Sequence, residues 1–182
     1  EQIKTNISHR GYKDLTPIQD QAIPHLLLGK DLVGIASTGT GKTAAFLIPL
    51  INKVFNDKSQ KVLIIAPTRE LALQIEEELR TFARNMNIYS VLCIGGVSMG
   101  PQIKFLQRRP EFVIGTPGRL RDLERQRKIN FSSYKTIVLD EVDRMLEMGF
   151  VKEVSYIMDN LSNPRQSLFF SATMPVSAQK IM

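Results

Sequence analysis

Six short apolar runs, separated by longer segments of helical period, limit this chain's folding choices more than any other feature. They are Leu32–Ala36, Lys61–Ala66, Ser90–Ile94, Phe112–Gly115, Thr136–Asp140 and Gln166–Phe170. Most are apolar throughout rather than alternating with polar residues. That is the pattern of strands covered on both faces, as in parallel sheets. The intervening stretches Thr43–Phe55, Arg69–Arg84, Ser98–Gln107, Arg119–Gln126 and Val151–Leu161 read as helices. In Arg69–Arg84, Leu71, Ile75, Leu79 and Phe82 fall on one stripe, and Glu76, Glu77 and Glu78 read as a solvated face. The 182 residues have the length of one domain, without internal repeat or low-complexity linker. The expected fold is α/β, a doubly wound, mostly parallel sheet flanked by helices.

In such sheets ligands sit beyond the carboxyl ends of the strands. The unusual residues of this chain fall there. Ser37–Thr43 follows the first run, Pro67-Thr68-Arg69 the second and Gly95-Gly96 the third. Thr116-Pro117-Gly118-Arg119, Asp140-Glu141 and Ser171-Ala172-Thr173 follow the others.

Ala36-Ser37-Thr38-Gly39-Thr40-Gly41-Lys42-Thr43 is a phosphate-binding loop, with Ala36 where the general pattern has its first Gly. Its glycines let backbone N–H groups turn toward phosphate oxygens, and the helix that follows points its positive end at them. Lys42 supplies charge to the β and γ phosphates, and the Thr43 hydroxyl reaches Mg²⁺. Ile137-Val138-Leu139-Asp140-Glu141 is an apolar strand ending in two carboxylates. Asp140 is placed to hold the magnesium shell, partly through water, and Glu141 to orient or deprotonate a water. Taken alone, the pair also reads as an acidic turn capping a helix at Arg144. Upstream, Gln19 has a side-chain amide able to meet N6 and N7 of adenine together, and Tyr12 offers a ring for stacking. Thr16 and Pro17 equally mark a helix start there.

Lys plus Arg number 24 and Asp plus Glu 18, a net charge of +6. That fits a polyanionic partner without establishing one. The single cysteine, Cys93, lies in an apolar run and reads as core; a reducing, intracellular setting follows, cytoplasmic or nuclear. His9 and His25 have no ligand cluster around them, so no zinc site is expected. No run approaches the ~18 apolar residues of a membrane span, and no secretory signal opens the chain. Glu1 reads as a boundary within something longer, and Ser177–Met182 as a helix cut before its cap.

Together these residues resemble the first RecA-like domain of a DEAD-box ATP-dependent RNA helicase, from Gly11 to Thr173. Gly11–Gln19 is similar to the family's adenine-reading Q motif. Ala36–Thr43 is similar to A-x-T-G-S-G-K-T, with Thr40 for Ser. Pro67–Ala72 matches P-T-R-E-L-A. Gly95-Gly96 followed by Gln102 resembles the double-glycine motif, and Thr116–Arg119 matches T-P-G-R. Asp140-Glu141-Val142-Asp143 stands at the box that names the family, and Ser171–Thr173 matches S-A-T. The resemblance implies ATP and Mg²⁺ as cofactors, with Tyr12, Gln19, Ser37, Thr38, Gly39, Thr40, Gly41, Lys42 and Thr43 around the nucleotide. It implies Lys42, Asp140 and Glu141 as catalytic residues. Pro67, Thr68, Arg69, Gly96, Thr116, Pro117, Gly118 and Arg119 would hold one RNA strand by its backbone, independent of sequence. Asp143, Ser171 and Thr173 would couple nucleotide state to RNA grip. A second RecA-like domain, with its arginine fingers, would complete the enzyme, so these residues alone are expected to turn over little ATP. Alternatives are a non-catalytic ATP-gated RNA clamp and a DNA-directed motor. Departures from the family pattern are Val142 for Ala, Leu15 for Pro, and no evident aromatic residue upstream of the Q motif.

Overall fold

The six runs become six strands in a computed structural model that describes residues 1–163, 165–174 and 178. They are β1 Leu32–Ile35, β2 Val62–Ile65, β3 Ser90–Cys93, β4 Phe112–Gly115, β5 Thr136–Leu139 and β6 Gln166–Ser171. They form one sheet in the order β1-β6-β5-β2-β4-β3, every neighbouring pair parallel. The helices are α1 Gln2–His9, α2 Pro17–Leu27, α3 Lys42–Asn56, α4 Arg69–Phe82, α5 Met99–Gln107, α6 Pro117–Arg125, α7 Val142–Glu147 and α8 Val151–Asp159. A 3₁₀ turn, Phe131–Ser133, leads into β5.

Strand periodicity divides the core in two. Val62, Ile64, Ile114, Val138, Leu168 and Phe170 face one side, where they meet Phe46 and Leu50 of α3 and Ile75 and Leu79 of α4. Leu63, Ile65, Val113, Ile137, Leu139 and Phe169 face the other, against Leu106 of α5, Leu120 and Leu123 of α6, and Val154 and Ile157 of α8. Burying each such side chain contributes roughly 1.5–3 kcal/mol. Both faces of the central strands are therefore covered, which is why their sequences read as continuous apolar runs.

β1 departs from that reading. Val33 and Ile35 are 46% and 48% exposed, because β1 is an edge strand and only its inner face packs against the core among the described residues. The glutamate run on α4 departs too. Glu76 is buried and accepts from Arg80 Nη2 at 3.0 Å and from the Ser90 hydroxyl at 3.3 Å. Glu78 is half-buried, leaving only Glu77 on the exposed surface. α4 lies between the sheet and neighbouring elements, so its polar flank is partly enclosed. The helix read over Ser177–Met182 falls, apart from Ala178, outside the described residues.

α1 carries no clear sequence signal. Its apolar residues Ile3 and Ile7 pack against the core. Buried Asn6 donates through Nδ2 to the carbonyls of Phe82 at 2.7 Å and Arg84 at 2.9 Å. These carbonyls belong to the last turn of α4 and the residues after it, where the helix has no N–H donor of its own left to satisfy them.

The sheet ladder extends beyond three strands at the functional edge. Ala36 N donates to Ser171 O, Ala66 N to Gly115 O and Asp140 N to Ile65 O, each at 3.0 Å. The first residues of the decisive loops are thereby fixed to the sheet.

Candidate nucleotide site and neighbouring loops

Strand order sets loop order. Across the carboxyl edge stand Ser37–Thr43 after β1, Ser171–Thr173 at β6, Asp140–Asp143 after β5, Pro67–Arg69 after β2, Thr116–Arg119 after β4 and Gly95-Gly96 after β3. The phosphate loop and the carboxylates thus flank the end of β6, and the other three loops occupy the opposite half.

The phosphate loop turns through two left-handed glycines, Gly39 at φ 80° and Gly41 at φ 90°. Thr40 Oγ1 donates to Ser37 O at 2.7 Å and closes the turn. Gly41 is the N-cap of α3, so the free N–H groups of that helix start beside Lys42 and Thr43. Lys42 is buried, and its Nζ donates to Ala36 O at 2.8 Å. That uses one of the ammonium's three donors. Gln19 is fully buried. Its Nε2 donates to Gly41 O at 3.2 Å and its Oε1 accepts from Thr16 N at 3.0 Å. The Gln19 amide therefore ties the start of α2 to the loop, leaving one hydrogen and one lone pair uncommitted.

Asp140 sits at the lip of β5, 3% exposed, and its Oδ1 accepts from Glu141 N at 2.9 Å. Burial pushes its carboxyl up to about 6, opposed mainly by the Lys42 charge. Glu141 takes a left-handed backbone, φ 53°, rare outside Gly, Asn and Asp, and starts α7. Its Oε2 accepts from Arg144 Nη1 at 3.2 Å. Val142 is fully buried, so its extra bulk relative to Ala is absorbed by the core. Asp143 Oδ2 accepts from Thr173 N at 2.9 Å, Thr173 Oγ1 at 3.1 Å and Ala172 N at 3.2 Å, while Asp143 N donates to Ser171 Oγ at 3.1 Å. Burial alone would raise the Asp143 carboxyl, but the bonds from Thr173 and Arg144 outweigh it and hold it below the usual range.

One cavity of about 340 Å³ joins these parts. It is lined by Tyr12, Thr38, Gly39, Gly41, Lys42, Thr43, Leu71, Gln74, Glu78, Asp140 and Glu141. Its size lies within the roughly 300–1,000 Å³ of small-molecule sites. Ser37, Thr40 and Gln19 shape the loop without lining the cavity. The Tyr12 ring is held edge-on to Phe82, centroids 5.7 Å apart; burial and then the Glu78 charge raise its phenol.

The other three loops are knit together. Arg69 lies so close to Gly96 that a Cβ there would overlap the guanidinium. Arg119 donates from Nη1 and Nη2 to Val97 O at 3.3 and 3.2 Å. Buried Gln102 donates to Ile94 O at 3.0 Å and Ser98 O at 3.3 Å. Thr68 Oγ1 caps α4 by accepting from Leu71 N at 3.2 Å. Arg69 and Gly96 are exposed, and Thr68, Thr116, Gly118 and Arg119 are partly so. Pro67 and Pro117 are buried. Those two prolines shape the loops from within.

The family model for DEAD/DEAH box helicases matches residues 16–181. The chain belongs to the DEAD/DEAH box helicase family. It is 44% identical over 176 residues to the ATP-dependent RNA helicase CshA of Limosilactobacillus reuteri, covering 96% of this chain and 35% of that protein. It is similar to the crystal structure of a hypothetical ATP-dependent RNA helicase from Sulfolobus tokodaii, with TM-score 0.92, 37% identity, and 99% of this chain on 53% of that one. A DEAD box protein from the hyperthermophile Methanococcus jannaschii gives TM-score 0.93 and 38% identity, with 100% of this chain on 50% of that one. The chain thus spans between a third and about half of these relatives.

Within this DEAD/DEAH box fold, sequence reasoning missed Leu71, Gln74 and Glu78 on the cavity wall. Glu78 Oε2 is buried with no hydrogen-bond partner, and burial raises its carboxyl. The spacing carried a signal: Leu71, Gln74 and Glu78 recur at three and four residues and share one face of α4. The apolar stripe and the glutamate run hid it.

Proposed function

We propose that the chain is the nucleotide-binding part of an ATP-dependent RNA helicase, which couples ATP hydrolysis to local strand separation. The observation that carries this reading is the single cavity on which Lys42, Thr43, Asp140 and Glu141 converge. The α3 N-terminus and the Lys42 ammonium bind the triphosphate. Glu141 accepts the proton of an attacking water or orients it, through the oxygen that Arg144 does not occupy. Tyr12 and the free donor and acceptor of Gln19 support an adenine at the far end.

Mg²⁺ fits this donor set. Asp140 is a buried carboxylate whose charged form a cation would favour, and Thr43 lines the same cavity. No cluster of three or more protein ligands exists among the described residues, so the ion would be shared with phosphate oxygens. When bound it would neutralise charge developing on those oxygens. RNA would lie backbone-on across Thr68, Arg69, Gly96, Thr116, Gly118 and Arg119, and a second RecA-like domain would face the nucleotide. Asp143, bonded to Ser171 and Thr173 at the end of β6, would register the nucleotide state.

Phosphate release by the full-length protein tests the reading. Glu141→Gln should retain nucleotide affinity while losing RNA-stimulated release by about 10²–10⁴-fold. Wild-type release no greater than that of Glu141→Gln would make the protein an ATP-gated clamp. Stronger competition by single-stranded DNA than by matched RNA would make it a DNA motor.

A further inference from the structure

The net charge of this chain is concentrated. Residues 103–128 hold eight Lys or Arg against three Asp or Glu, a net of +5 out of +6. This segment runs from the second half of α5 through β4 and α6, and four of its cations, Arg108, Arg109, Arg127 and Lys128, stand just past the helix ends. Both helices start at the Gly96 and Thr116 loops and run to the opposite edge of the sheet. There a cavity of about 470 Å³ opens at the amino ends of β2, β4 and β5. Its charged lining is Lys61, Arg109 and Lys128, with no carboxylate. Lys61 Nζ donates to Arg109 O. Arg109 and Lys128 are exposed, and their side chains make no hydrogen bond or ion pair among the described residues, so both charges face solvent.

The helix ends add a second observation. α6 closes with Lys128 N donating to Leu123 O at 2.8 Å and Arg127 N to Glu124 O at 2.7 Å, the paired bonds of a glycine-type helix stop. Yet the left-handed residue is Arg127, φ 55°. The left-handed residue after α5 is Arg109, φ 54°. Glycine would adopt both conformations at lower cost. Two helices thus end in strained arginines beside one basic cavity, an arrangement that shape alone does not require.

We infer that this cavity is a second phosphate-binding site, taking the backbone of the RNA that flanks the strand held at the carboxyl edge. The inference rests on the RNA reading above. α6, nine residues and so about 14 Å long, joins the two: Arg119 stands in its first turn and Lys128 just past its end. A strand leaving the Thr116–Arg119 loop can follow the basic α5–α6 surface to Lys61, Arg109 and Lys128. The chemistry is ionic and independent of sequence.

The test uses the full-length protein and two single-stranded RNAs of about 6 and about 20 nucleotides, titrated over a range of salt. The triple variant Lys61→Gln, Arg109→Gln, Lys128→Gln should bind the longer RNA about tenfold more weakly, with a salt slope lower by about 2. Its affinity for the short RNA should stay at the wild-type value. The charge-preserving variant Lys61→Arg, Arg109→Lys, Lys128→Arg should restore the long-RNA affinity, excluding a folding defect. Equal binding of the long RNA by wild type and the Gln variant overturns the inference alone. An equal loss on both RNAs also overturns it, as does binding to anionic lipid vesicles, but not to RNA, that depends on these three residues. Failure of wild type to bind either RNA overturns the RNA reading and this inference with it.

Discussion

At the scale of single residues, Gly41 shows how tightly the phosphate loop is built. Its φ of 90° already disfavours any side chain, and a Cβ would come within 2.5 Å of Gln19 Nε2. Gly39 has nearly the same conformation, φ 80°, but open space around it. Gly39→Ala should therefore cost only the left-handed backbone, about 1–2 kcal/mol. Gly41→Ala should cost that and also displace a buried, doubly bonded amide, about 1–3 kcal/mol more. Urea unfolding of the two variants measures the difference, and nucleotide titration should show the larger affinity loss for Gly41→Ala. Equal costs would mean that Gln19 does not brace the loop. The glycines, Lys42 and the paired carboxylates were legible in the sequence because their chemistry demands those residue types at those spacings. The brace was not, since it depends on where the fold places the Gln19 amide hydrogens relative to the Gly41 carbonyl. Cys93 was legible as core: it is fully buried, and burial pushes its thiol up to about 12.

At the scale of elements, the strands could be read to within a residue or so because coverage on both faces leaves its mark in every side chain of the central strands, and the edge strands β1 and β3 are still apolar and bounded by turn residues. α1 could not be, because its attachment consists of two isoleucines and one asparagine that bonds to carbonyls more than 70 residues away. Asn6 nevertheless holds more than a helix end. Tyr12 N donates to Ile7 O at 3.4 Å, and the Tyr12 ring packs on Phe82, whose carbonyl Asn6 holds. α1, the last turn of α4 and the tyrosine on the cavity wall form one unit. Asn6→Ala leaves two carbonyls without their partner, at a cost of about 1–3 kcal/mol. Its specific consequence should be a weaker affinity for ATP through a displaced Tyr12, with the hydrolysis step unchanged in the full-length protein. A variant that lost stability while keeping wild-type ATP affinity would confine Asn6 to a structural role. The same burial argument explains the misread glutamates: a polar run on a helix reads as solvated until the element lying over it is known.

At the scale of the whole molecule, the order β1-β6-β5-β2-β4-β3 divides the carboxyl edge into a nucleotide half and a half knit by Arg69, Arg119 and Gln102. β6 stands within the first half, and its end is bonded to Asp143 of the carboxylate turn. The two halves meet where the carboxylate turn after β5 stands beside the loop after β2, and α4, which begins at that loop, reaches the nucleotide cavity through Leu71, Gln74 and Glu78. The nucleotide cavity presents Lys42 and three carboxylates, Glu78, Asp140 and Glu141, but among the described residues no arginine lines it, and Arg144 is engaged with Glu141 at the surface. In the proposed reading a second domain supplies an arginine finger, worth about 10³-fold or more in phosphoryl transfer. The 182 residues alone should therefore bind ATP measurably but release phosphate at near-background rates, with RNA giving no stimulation. Adding back the remainder of the full-length protein should restore RNA-dependent turnover. Phosphate release from this chain with and without single-stranded RNA decides the matter. Robust RNA-stimulated turnover would show that Lys42, Asp140 and Glu141 need nothing from across the cleft.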